Sequence, residues 1–238
     1  MRWRRPVALV LVSTPAGCGL SQGKPELART IQRAPVAGKC STHPYTTVWS
    51  GVFVPLDCAT ADHNTETVYV GTFTGVPARS TNPPAFGDPP TRDAFAQCQR
   101  AADDLLGGDW HQAKVKVGLV LPYDTVWRVG ARWYGCDVVR YKDSHLRQVN
   151  TDPGSVKDGL RGTRPLAFTC SIFTEDAQHV LDPAALDVTC DQPHNAEFAG
   201  TYVAPDGPWM ADEDARFKFG VRTVGSVRGI GTRAPARP

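Results

Sequence analysis

Cys190-Asp191-Gln192-Pro193-His194-Asn195-Ala196-Glu197 runs into Ala199-Gly200-Thr201-Tyr202. An earlier stretch, Cys58-Ala59-Thr60-Ala61-Asp62-His63-Asn64-Thr65-Glu66, runs into Tyr69-Val70-Gly71-Thr72. Both read as a cysteine, three or four residues, then His-Asn-x-Glu and a glycine-bearing segment of strand character. A further cysteine stands 18 residues before the first (Cys40) and 20 before the second (Cys170). Repetition on this scale points to two related structural units.

Working outward, residues 45–55 and 67–75 are rich in β-branched and aromatic side chains and predict strands. Residues 76–90 are Pro-rich and predict a loop. A helix is expected over 91–107, with Thr91 as N-cap, Gly107 at the far end, and Phe95, Cys98, Ala102 and Leu105 on one buried face. Residues 114–121 alternate as a half-buried strand does, and 124–140 predict strand–turn–strand carrying Trp127, Trp133 and Cys136. After a polar stretch the pattern begins again, with strands at 166–173, 186–190 and 197–203 and the start of a helix at 211–219. The expected class is α+β: two related disulfide-stapled units of short antiparallel strands plus a helix, the second unit incomplete. The expected organisation is a leader (1–18), a tether (19–38), unit 1 (39–141), a linker (142–164), a partial unit 2 (165–219) and an irregular basic tail (220–238).

The chain has 238 residues, 41% apolar and 21% charged, with 22 Gly and 20 Pro. That is a globular composition, too apolar for disorder and too polar for a multi-span membrane protein. The 26 basic residues fall to 23 against 24 acids once residues 1–17, with Arg2, Arg4 and Arg5, are set aside. No electrostatic attraction to nucleic acid follows. Basic residues 1–5, the brief apolar run 6–13 and the small residues before Cys18 have the order of a secretory signal, and the run is too short to span a bilayer. Ala16-Gly17-Cys18 resembles the end of a bacterial lipobox, with Pro15 where Leu is usual, and would leave Cys18 as an acylated N-terminus. An ordinary signal cleaved nearby is the alternative. The expected location is the outer face of the cytoplasmic membrane, attached by lipid alone, or secretion. With Cys18 assigned to lipid, Cys40, Cys58, Cys98, Cys136, Cys170 and Cys190 suffice for three disulfides in an oxidising compartment. None forms C-x-x-C, which disfavours a thiol oxidoreductase or a zinc ribbon.

The recurrent polar groups are His63, Glu66, His194 and Glu197. Imidazole and carboxylate three residues apart suit zinc if the segment turns, and two such pairs would supply four ligands. The competing reading is that each pair fixes a tight loop by hydrogen bonds beside its cysteine. It is favoured by rigid Pro193 and by the lack of a helical H-E-x-x-H, so no metal or other cofactor is assigned. No G-x-S-x-G elbow surrounds Ser80, Ser144 or Ser155, and Gly225, Gly229 and Gly231 match no phosphate loop. Asp103-Asp104 and Glu213-Asp214 are adjacent carboxylates that point apart, which disfavours glycosidase chemistry. Trp49, Trp127, Trp133 and Tyr134 suit either a platform for glycan or peptide or core packing, with Trp127 and Trp133 sharing a face if they lie on one strand.

The Cys190–Asp191–x–Pro193–His194–x–x–Glu197 segment, with Trp127-x-x-Gly130-x-x-Trp133-x-x-Cys136, resembles the septum formation family of actinobacterial envelope proteins. The first copy departs from that pattern, with Ala61-Asp62 in place of the Pro before His63 and one residue inserted. The resemblance implies a link to division and cell-wall assembly and no defined enzymatic activity. It also implies a second cysteine-bearing helix and a closing strand. Residues 220–238, with four Arg and no acid or cysteine, do not supply them, as a truncated or out-of-register tail would not. With that half missing, the repeat implies the pairs Cys170–Cys190, Cys40–Cys58 and Cys98–Cys136; mispaired survivors are the alternative. The functional expectation is a non-enzymatic exported lipoprotein that binds an envelope or division protein or cell-wall glycan. A zinc-dependent hydrolase or transferase acting on wall material through His63, Glu66, His194 and Glu197 is the alternative.

Overall fold

The computed structural model describes residues 34–42, 54–174 and 186–201. The leader, Cys18, Trp49, the helix expected at 211–219 and the basic tail lie outside the described residues, as does most of the strand expected at 45–55. The described residues form two compact units. The first gathers residues 34–42, 54–102, 117–139 and 150–155, and the second 103–116, 140–149, 156–174 and 186–201.

The class is α+β with antiparallel strands. A four-stranded sheet contains β1 (Lys39–Ser41), β2 (Thr65–Thr72), β3 (Val115–Val120) and β4 (Trp133–Arg140) in the order β1-β2-β4-β3. β2 is antiparallel to both neighbours, and its register with β4 slips between Thr67 and Tyr69, leaving Val68 as an extra residue. Such a bulge bends a strand and changes which side chains share a face. Six consecutive residues of β4, from Tyr134 to Val139, are buried, so both faces of that strand are covered.

The long helix α2 (Pro89–Leu106) starts two residues before the expected Thr91, because proline fits the first helical turn, where no N–H partner is needed. Thr91 lies inside the helix and its hydroxyl donates to the Ala85 and Asp88 carbonyls. Gly107, at φ +78°, ends the helix, and the N–H groups of Gly107 and Gly108 both reach the Asp103 carbonyl. The buried face is Thr91, Ala94, Cys98, Ala102 and Leu106. The expected Phe95 and Leu105 are only half-buried. Small residues at 94, 98 and 102 let the helix approach closely enough for the Cys98–Cys136 disulfide to bind it to β4.

Two further expectations are corrected. The Pro-rich stretch contains a short helix, α1 (Gly75–Arg79), which Gly75 enters at φ +65°. The first half of 124–140 is also helical, α3 (Asp124–Arg128), so Trp127 and Trp133 are not on one strand. Trp127 is fully buried, donates from Nε1 to the Ser80 carbonyl at 2.9 Å, and carries the Arg132 guanidinium 4.3 Å above its ring. Phe73 packs against Trp127 (5.8 Å) and Tyr134 (5.1 Å), so these aromatics form core rather than an exposed platform.

In the second unit, β5 (Cys170–Ile172) and β6 (Leu186–Val188) form a two-stranded antiparallel sheet. Leu166 and Ala167 bond to Lys114 and Ala113, and residues 156–161 bond back through Asp158 and Leu160 to Leu105 and Leu106. The strand expected at 197–203 is absent over 197–201; a single bridge between Ala196 and Ser171 stands in its place.

Two packing constraints give tests. Gly71 lies across from Tyr134, and a Cβ there would enter the Tyr134 ring, itself buried beside Phe73 and Tyr69. Gly71→Ala should therefore lower stability by about 1–3 kcal/mol in urea unfolding; an unchanged midpoint would show that the ring moves aside freely. Asp137, buried on β4, accepts the Thr67 hydroxyl at 2.7 Å, yet burial dominates and pushes its carboxyl up to about 6. The folded chain then holds a proton that the unfolded chain releases near pH 4, so this group's stabilisation is full below about pH 4 and lost as the pH rises to about 6. Asp137→Asn should remove that pH-dependent loss, on the order of 2–3 kcal/mol, from denaturation curves measured across the window. Parallel wild-type and variant profiles would refute it.

Candidate functional site

The first motif folds around a disulfide. Cys40, on β1, is bonded to Cys58, exchanges backbone hydrogen bonds with Leu56, and faces Glu66 in the β1–β2 register. The chain turns after Cys58 and returns past His63, which is buried; its Nδ1 donates to the Ala61 carbonyl at 2.8 Å. A ring nitrogen of His63 lies within 4.8 Å of the Cys40 and Cys58 sulfurs. The Asn64 N–H reaches the Ser41 carbonyl at 3.1 Å. Glu66 is buried and accepts the Ser155 hydroxyl at 2.9 Å. Residues 151–155 form a strap over this loop, with the His63 N–H on the Thr151 carbonyl and the Gly154 N–H on the Cys58 carbonyl.

The second motif makes the same contacts at the same offsets. Cys170, on β5, is bonded to Cys190 and pairs with Val188, two residues before Cys190, as Leu56 lies two before Cys58. His194 Nδ1 donates to the Gln192 carbonyl at 2.7 Å, again two residues back, and the Asn195 N–H reaches the Ser171 carbonyl at 3.2 Å. Asp191 accepts the Thr189 hydroxyl at the exposed turn.

The glutamates differ. Glu66 turns to Ser155, whereas Glu197 accepts from His194 Nε2 at 2.7 Å at the surface. A carboxylate faces one ring nitrogen of His194 and a carbonyl the other, an arrangement that favours the protonated ring. The Glu197 bond first, and the Gln192 carbonyl second, raise its pKa above the usual histidine value.

The donor chemistry of these clusters does not fit zinc. The sets are Cys40, Cys58 and His63 in one unit and Cys170, His194 and Glu197 in the other. Their sulfurs are locked in disulfides and offer no thiolate, which leaves His63 alone in one set and His194 with Glu197 in the other, fewer donors than zinc takes. His63, Glu66, His194 and Glu197 each make hydrogen bonds within their own unit, at or beside the loop that carries them. Sequence reasoning set Ser155 aside as a serine without hydrolase context and missed its bond to Glu66, 89 residues away, because it lies in a stretch read as linker. It also missed His145, whose Nε2 faces Ser171 Oγ at 3.4 Å and Asp187 at 3.8 Å. A single nitrogen meeting both groups cannot relay a proton between them, so this trio is not a hydrolytic triad.

A sequence profile for septum formation matches residues 37–219, a span that holds all six bonded cysteines and both His–Glu loops. No curated protein and no solved structure gave a match. Most of the chain, including every contact that defines the two loops, therefore lies within one family's pattern, and the chain belongs to the septum formation family.

Proposed function

We propose that this chain is a non-enzymatic, exported cell-envelope protein, held at the outer face of the cytoplasmic membrane by acylation of Cys18, that binds a partner in septum formation or cell-wall assembly. Family membership supports the role in septum formation. Three disulfides support an oxidising compartment, and among the described residues no helix is long and apolar enough to cross a membrane. The observation that carries the non-enzymatic reading is that each motif histidine and glutamate is engaged in holding its own loop.

For the binding surface, the first unit offers a cleft of about 300 Å³ between the end of β2 and the first turns of α2. Phe73 and Tyr134 form apolar wall, Pro77 and Pro90 the rim, and Asp93 and Gln97 supply polar groups. Val76 and Phe86, in the segment that joins β2 to α2, are 74% and 56% exposed. Exposed apolar side chains on the segment that also supplies Pro77 to the cleft suit a protein partner.

Two variants test the proposal in growing cells. Cys18→Ala should move the protein from the membrane fraction to the soluble exported fraction. The double variant Val76→Asp with Phe86→Asp should stay folded and membrane-bound yet lose enrichment at the division site, seen by fluorescence microscopy. A double variant that keeps its septal position would overturn the assigned surface; an unacylated wild type that remains soluble would overturn the anchor.

A further inference from the structure

The three disulfides sit in different surroundings. Cys98 and Cys136 are fully buried, and Cys40 and Cys58 are buried beneath the 151–155 strap. In the third pair Cys170 is 2% exposed, whereas Cys190 lies at the surface. A cavity of about 240 Å³ is lined by both of these cysteines together with Arg164, Phe168, Glu197 and Phe198. On its other side the buried sulfur has His194, with Cys170 Sγ, a His194 ring nitrogen and a Glu197 oxygen all within 4.8 Å of one another. The bridge therefore has an open sulfur for an incoming group and a buried sulfur next to an imidazole.

We infer that the Cys170–Cys190 bridge is a thiol-exchange site, at which a small external thiol forms a mixed disulfide on Cys190. The thiol loses its proton to solvent, and its sulfur attacks Cys190 Sγ. The Cys170–Cys190 bond breaks as the new sulfur–sulfur bond forms, and the electron pair leaves on Cys170 Sγ. The His194 ring, within 4.8 Å of Cys170 Sγ, stabilises the departing thiolate through its charge when protonated, and the thiolate takes its proton from solvent. A leaving thiol beside a cation departs faster, and attack on the exposed sulfur is the accessible one. No net oxidation occurs, since one disulfide is exchanged for another. A second equivalent of thiol, attacking the external sulfur of the mixed disulfide, would leave as the external disulfide with both cysteines reduced, and β5 and β6, three residues each, would lose their covalent tie.

The full oxidised chain is treated with reduced glutathione, quenched at intervals with an alkylating agent, and its cysteines are mapped by peptide mass spectrometry. Exchange at Cys170–Cys190 should run at least about tenfold faster than at either other bridge, with glutathione on Cys190 and the alkyl group on Cys170. Equal rates at all three bridges, or glutathione found on Cys170, would overturn the inference. His194→Gln should slow the exchange by roughly tenfold while the other two bridges keep their wild-type rates, which also reports that the chain has folded. Should His194→Gln fail to fold, His194→Asn serves instead, and a rate equal to wild type in the folded variant would remove His194 from the step. The wild-type map decides the site without either variant.

Discussion

A disulfide with a histidine laid against it is the constraint on which both loops depend. β1, β5 and β6 have three residues each, too few to hold themselves together through ladder bonds alone. Closing loops of 18 and 20 residues with a covalent bond takes about 3 kcal/mol of freedom from the unfolded chain. That closure brings the chain back past its own strand, where Asn64 and Asn195 bond to the backbone of Ser41 and Ser171. The histidine then locks the turn by donating to the carbonyl two residues behind it. Without the bridges, these bonds would have to order long segments for little return.

The two loops share this frame and differ in what covers them. The 151–155 strap buries His63 and supplies Ser155 to Glu66, so the first copy is sealed. His194 and Glu197 bond to each other at the surface instead, and Cys190 is open. One sequence motif thus yields a covered bridge in one unit and an accessible one in the other. The first unit, braced in this way and by Cys98–Cys136, holds Phe73 and Tyr134 rigid as the wall of its cleft.

What could be seen in the sequence was whatever is written in spacing. Recurring cysteines and His-Asn-x-Glu exposed the two loops, alternation marked β3, and the 3.6-residue period with its Gly107 stop marked α2. The pairing of all six cysteines followed the family resemblance and is the one observed. The helix face was right at Cys98 and Ala102 and off by one residue at its ends, where Ala94 and Leu106 are buried in place of Phe95 and Leu105. α1 and α3 span five residues each, too short to display a period, and Pro77 in α1 resembles a loop signal. Ser155 on Glu66 and Asp137 on Thr67 join residues 89 and 70 apart, a proximity that only the fold creates.

If the bridged loops are scaffolding, the motif histidines and glutamates shape them and hold no metal. Elemental mass spectrometry of the oxidised protein, exported to the periplasm and purified without chelator or metal-affinity resin, tests it most directly. Scaffolding loops give no stoichiometric metal, in wild type or in His194→Ala. About one zinc per chain, lost on His194→Ala, would contradict it and restore the hydrolytic reading of the His–Glu pairs.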